Sequence, residues 1–183
     1  YALDKLVEYI DWTPFFRTWD LAGKYPDILD DPIVGTAAAD LFRDATDMLD
    51  KIIDGSWLTA NGVIGFWHAN RRGDDIQLWH DGSRNEPLVV LHHLRQQNAA
   101  LDTCLCLSDY VAPATREDYV GGFVVTVGPE IENALKRFQG DDYNEILLKA
   151  LADRLVEAFA EHLHERVRKE FWGYAQEEGL ANE

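Results

Sequence analysis

The sequence predicts an α+β fold, a mainly antiparallel twisted sheet packed with helices that include one long C-terminal helix. Two observations carry this. The hydrophobic pattern runs at a helical period of about 3.6, changes to a period of two in the middle third, and returns to the helical period at the end. The breaks between strand candidates are short turns, which close antiparallel hairpins, whereas a parallel crossover needs about a dozen residues or more. A hydrophobic content of 46% with 11% aromatic residues supports a packed core, and the 183 residues are expected to form a single domain, 1–183.

Ala2 to Ile10 reads as the end of a helix, and Asp11-Trp12-Thr13-Pro14-Phe15-Phe16 as a break, because Pro14 disfavours helix at Thr13. A second helical stretch leads to Lys24-Tyr25-Pro26. From about Thr36 to Ile53, Leu41, Ala45, Met48, Leu49 and Ile52 form one apolar face, and Gly55 is a natural stop. Alternation marks strands at Gly62 to His68, Ile76 to His80, Leu88 to Leu91 and Tyr119 to Val127. Asn70 to Asp75 and Asp81-Gly82-Ser83 read as turns, and Gly121-Gly122 either weakens the last strand or admits a close neighbour. A short helix is expected near Ile131 to Phe138 and a long one from about Asp142 to Trp172. In the long helix Leu151, Leu155, Phe159, Leu163, Val167 and Phe171 recur every four residues, so the stripe winds slowly and can serve several neighbours before Gly173 ends it.

Thirty-three acids against 17 Lys and Arg give a formal net charge of −16. Such a surface repels phosphate backbones and anionic membranes, so neither nucleic acid nor membrane is expected as a partner, and it favours a cationic or zwitterionic ligand. No apolar run approaches the roughly 18 residues of a membrane span. The chain opens on Tyr1, without the basic and apolar regions of a signal peptide, and reads as an excised piece of something longer. Cys104 and Cys106, one residue apart, look like reduced thiols of a cytoplasmic protein.

Chemistry is harder to locate. Asp153, Glu157, Glu161 and Glu165 form an acid row at spacing four, either a solvated face or one with an acid, Glu157 near its middle, turned to a cationic ligand. His162 and His164 point to nearly opposite sides of a helix, and Cys104-x-Cys106 has the wrong spacing for zinc. His68 and His80 lie on neighbouring strands without a third ligand, so no metal site is expected. No serine sits in a nucleophile elbow and no glycine-rich loop has the spacing that cradles phosphate.

Ordered strings carry a resemblance. Tyr9-Ile10-Asp11-Trp12-Thr13-Pro14-Phe15-Phe16, Leu21-Ala22-Gly23-Lys24-Tyr25-Pro26, Ala69-Asn70-Arg71-x-Gly73-Asp74-Asp75-Ile76, His92-His93-Leu94-Arg95-Gln96-Gln97 and Asp109-Tyr110-Val111-Ala112-Pro113 appear in this order. Asp141-Asp142-Tyr143-Asn144, Leu163-His164-Glu165-Arg166-Val167-Arg168 and Trp172-Gly173-Tyr174-Ala175 follow. Together they resemble the activation domain of cobalamin-dependent methionine synthase along nearly the whole chain.

The resemblance implies a reactivation domain of a methyltransferase. In that family the domain presents S-adenosylmethionine to an oxidised cobalamin carried by a neighbouring cobalamin-binding domain, and a flavodoxin-type protein supplies the electron. Asp11 matches the family's S-adenosylmethionine-binding Asp, and a turn or helix-cap aspartate is the alternative reading. Glu157 falls in the family's long helix near the ligand. The family's Arg-x-x-x-Gly-Tyr-Pro motif and a later Tyr lie downstream of Glu183, so the expectation is a C-terminally truncated domain with half a site. The alternative is a non-enzymatic docking module without a complete ligand site.

Overall fold

The computed structural model describes residues 1–100 and 102–179 and has the α+β architecture that the sequence predicts. Helices α1 (Trp12–Thr18), α2 (Gly35–Asp54), α3 (Ile131–Leu135) and α4 (Asp142–Arg166) flank strands β1 (Ala60–Arg72), β2 (Asp75–Trp79), β3 (Pro87–Leu91) and β4 (Tyr119–Val127). The strands form one sheet in the order β3-β2-β1-β4, with β2 antiparallel to both β1 and β3. Contacts divide the chain into two compact units, Tyr1–Gly62 with Val124–Glu183, and Val63–Phe123.

The first unit is built on α2 and α4. Ala38, Leu41, Ala45, Met48, Leu49 and Ile52 bury the predicted face of α2. The helix begins one residue before Thr36, after Asp31 Oδ1 accepts from the amides of Ile33 and Val34 at 2.8 and 3.0 Å. Gly55 follows its end in a right-handed conformation, and Ser56, at φ 48°, takes the left-handed turn expected of the glycine. Asp141 caps α4 by accepting from Asn144 N at 3.1 Å, and Asn144 Nδ2 donates back at 2.7 Å. Leu147, Leu148, Leu151, Leu155, Phe159 and Leu163 are buried, and α4 touches α1, α2, α3 and the first 3-10 helix, as a winding stripe allows. It continues as a π-helical turn, Val167–Phe171, and Gly173 at φ 73° ends it.

Two local expectations are corrected here. Leu3–Tyr9 is a 3-10 helix. The chain does not break at Pro14, which lies inside α1 at its third residue. The first four amides of a helix lack an intrahelical acceptor, so a proline in that turn removes no bond. The change of direction falls instead at Ile10 and Asp11.

The second unit centres on Ala69, Ile76, Leu78 and Val111, with Val120 packed against them. Arg71 pairs with Ile76 and Arg72 with Asp75, so the β1–β2 turn shrinks to Gly73-Asp74, with Gly73 at φ 65° where a tight hairpin favours glycine. Asn70, expected in the turn, is a strand residue only 1% exposed. Its Nδ2 donates to the carbonyls of Ala112, Pro113 and Arg116, and its Oδ1 accepts from Trp79 Nε1 at 3.2 Å and Arg84 at 3.3 Å. A Cβ on Gly122 of β4 would stand 3.5 Å from the Trp67 ring, an ordinary van der Waals contact. Arg95 holds Asp74 at 2.8 Å and Asp109 at 2.7 Å, and the guanidinium keeps the Asp109 carboxyl well below the usual carboxylate range.

Candidate functional site

A cavity of about 510 Å³ in the first unit is lined by residues of the 3-10 helix, α1, the segment around Lys24 and Tyr25, and α4. Asp11 reaches it from the N-cap of α1. Its Oδ1 accepts from Thr13 N at 2.9 Å, while the residue stays exposed. The cap role expected of this aspartate is therefore real, and a carboxylate with two oxygens keeps acceptor capacity beyond that one bond. Aromatic packing fixes the position. Trp12 lies edge-on to Phe15 and Phe42, with centroids at 5.4 and 4.9 Å, and Tyr25 stands 5.3 Å from Phe42. Thr13 Oγ1 accepts from Tyr25 N at 3.2 Å, joining the Lys24-Tyr25 segment to α1.

The structure brings Glu157 to the same cavity, on α4, so the two sequence-predicted site residues meet across it. Glu157 is paired with Arg154 at 2.5 Å. Glu8, Tyr9, Arg17, Lys24 and Glu161 also line the space and were not singled out as site residues. Glu161 was within reach of sequence reasoning, because i and i+4 share a helix face.

The base of this region is ordered by a polar network. The Tyr9 hydroxyl donates to Glu165 Oε2 at 2.6 Å, and Lys169 pairs with Glu165 at 2.5 Å. The bond to Glu165 pushes the Tyr9 phenol up to about 12, while Lys169 and then Tyr9 hold the Glu165 carboxyl down. The Tyr9 ring stands edge-on to His162 at 4.7 Å, and burial lowers the His162 imidazole.

Other predicted features do not make a second centre. His68 Nδ1 lies 3.5 Å from Glu117. Among the described residues no three His, Cys, Asp or Glu side chains are placed to hold a metal ion, and no helix is long and apolar enough to cross a membrane. Cys104 and Cys106 are unbridged.

What the cavity can do follows from its lining. Four acids, Glu8, Asp11, Glu157 and Glu161, line it together with two cations, Arg17 and Lys24, and the aromatic residues Tyr9, Trp12 and Tyr25. Its volume lies in the range of small-molecule sites, roughly 300–1,000 Å³. The combination suits a ligand with separated charges and an aromatic part.

Comparison with known proteins agrees with the motifs. The family profile described as vitamin B12 dependent methionine synthase, activation domain, matches residues 2–183. A crystal structure of the MetH reactivation domain bound to AdoHcy superposes with a TM-score of 0.95 at 53% sequence identity, covering 100% of this chain and 57% of that one. This chain thus spans little more than half the length of the relative it matches. A motif order, a fold and a profile that coincide over the whole sequence lead to one conclusion: the chain belongs to the activation-domain family of vitamin B12-dependent methionine synthase.

Proposed function

We propose that the domain binds S-adenosylmethionine in the Asp11–Glu157 cavity and presents it for reductive methylation of cobalamin in a methionine synthase, a cytoplasmic methyltransferase of methionine biosynthesis. The observation that carries this reading is the convergence of Asp11 and Glu157 on one cavity from opposite ends of the chain. The relative bound to AdoHcy, S-adenosylhomocysteine, supports it.

The chain's own residues bind and orient. Asp11, exposed at a helix cap, accepts hydrogen bonds from the ligand's ammonium, and the acid face of α4 favours its positive charge. Holding the sulfonium in one pose converts a bimolecular encounter into a positioned one. Cobalamin, held by a neighbouring domain, supplies the methyl acceptor. The electron comes from a flavodoxin-type donor, and the exposed Arg71 and Arg72 at the end of β1 offer a basic patch for such an acidic partner.

The test is calorimetry with S-adenosylmethionine on the full-length protein. Asp11→Asn keeps the shape and the cap but removes the charge, and should weaken binding by about 1.5–3 kcal/mol. Unchanged affinity would remove Asp11 from the ligand. The donor patch is tested separately, by reactivation rate against ionic strength with Arg71 and Arg72 both replaced by Ala; an unaltered salt dependence moves the docking site elsewhere.

A further inference from the structure

The acid row of α4 does not act as a uniform solvated face. Glu157 is engaged by Arg154, and Glu165 by Tyr9 and Lys169. Asp153 does not line the cavity. Glu161, one turn beyond Glu157, lines the cavity, is exposed, and has no hydrogen-bond or ion-pair partner among the described residues. Phe159 and Leu163 on either side of it are 3% and 6% exposed, so the backbone that carries it is anchored in the core.

An ion-paired carboxylate is largely neutralised at a distance, whereas an unpaired one projects its full charge. S-adenosylmethionine and S-adenosylhomocysteine have nearly the same shape and differ by one methyl group and one positive charge at sulfur. An apolar wall separates one methyl group by only about 1–3 kcal/mol, and it would favour the uncharged compound on desolvation grounds. Preference for the charged donor therefore needs negative charge that no protein cation has already taken up.

We propose that Glu161 is a charge-specificity residue of the cavity, its unpaired carboxylate favouring a ligand that is cationic at the sulfur position over the neutral thioether. This rests on the S-adenosylmethionine reading of the cavity. Glu161 draws in the charged methyl donor and holds the neutral product less tightly, which assists exchange after transfer. Two other acids of the lining have no cation partner among the described residues: Asp11, which accepts from Thr13 N and is assigned above to the ligand's ammonium, and Glu8, which sits on the short 3-10 helix rather than on α4 and serves as the comparison.

The experiment is calorimetry on the full-length protein with two compounds that transfer no methyl group. One is S-adenosylhomocysteine, and the other is the analogue in which a protonated amine replaces the methylsulfonium. Glu161→Gln should weaken the amine analogue roughly fivefold, the size expected of one partly solvated charge, and leave S-adenosylhomocysteine within about twofold. The wild-type preference should shrink as salt rises, and that salt dependence should be reduced in the variant. Glu161→Lys should lower the preference further, while Glu8→Gln leaves most of it. Equal weakening of both compounds, or an unchanged ratio in both Glu161 variants, overturns the assignment. If the wild type binds neither compound, the S-adenosylmethionine reading fails and this inference falls with it.

Discussion

The Tyr9 hydroxyl donates to Glu165 Oε2 at 2.6 Å, joining the first 3-10 helix to the far end of α4 beside the cavity. Tyr9→Phe removes that bond without removing the ring that packs on His162. Urea denaturation should show a loss of about 1 kcal/mol at neutral pH. Because Glu165 is held below its ordinary value, the stability it contributes is present above the normal carboxylate range and is lost as pH falls through its lowered folded value. The difference between wild type and Tyr9→Phe should therefore narrow in acid. At the other end, Tyr9 titrates at about 12, above its unfolded value of 10.0, so its contribution should persist to about pH 10 and disappear as pH rises through 12.

Asp11 has two separable roles. Asparagine caps helices about as well as aspartate, so Asp11→Asn should leave thermal stability nearly unchanged while weakening ligand binding. Asp11→Ala loses the bond from Thr13 N as well, and should cost about 1 kcal/mol of stability. Equal melting losses in the two variants would show that the charge, not the cap, stabilises α1.

Asn70→Ala should be among the most damaging single changes in the sheet unit. It strands Trp79 Nε1 and removes one of the two donors to each of the carbonyls of Ala112, Pro113 and Arg116, which keep bonds from Arg71 N, Arg116 N and Arg84. A loss of about 2–3 kcal/mol is expected. Amide exchange should rise first around Ala112 and Arg116, and protection there that matches wild type would refute the hub role.

Arg95 binds Asp74 at the β1–β2 turn and Asp109 at a 3-10 turn, Leu107–Tyr110. Arg95→Met should make the 92–110 segment more susceptible to limited proteolysis at neutral pH. Asp109 has a depressed folded pKa, so this contribution is present above the ordinary carboxylate value and fades as pH falls through the depressed one. Wild type and variant should converge in strong acid, and a difference that is independent of pH would mean that packing, rather than charge, holds the segment.

Local pattern alone specified much of this protein. The apolar faces of α2 and α4, the hairpin between β1 and β2 and the closing glycine at 173 each depend on neighbours within a few residues, and each was legible. Asp11 was legible through its motif. The misses have one kind of cause. Pro14 reads as a breaker until its place in the first turn is known, and Asn70 reads as a turn residue until the Arg72–Asp75 pair shortens the turn and buries it. The acid row was visible at spacing four, but nothing in that spacing distinguishes Glu157, Glu161 and Glu165. Arg154 meets Glu157 through i,i+3 spacing on α4, but only the folded chain brings Tyr9 to Glu165 and opens a cavity at Glu161. Secondary structure follows from periodicity along the chain, whereas the charge a side chain presents to a ligand depends on which partners lie within about 4 Å in space, and that distance is set by tertiary packing.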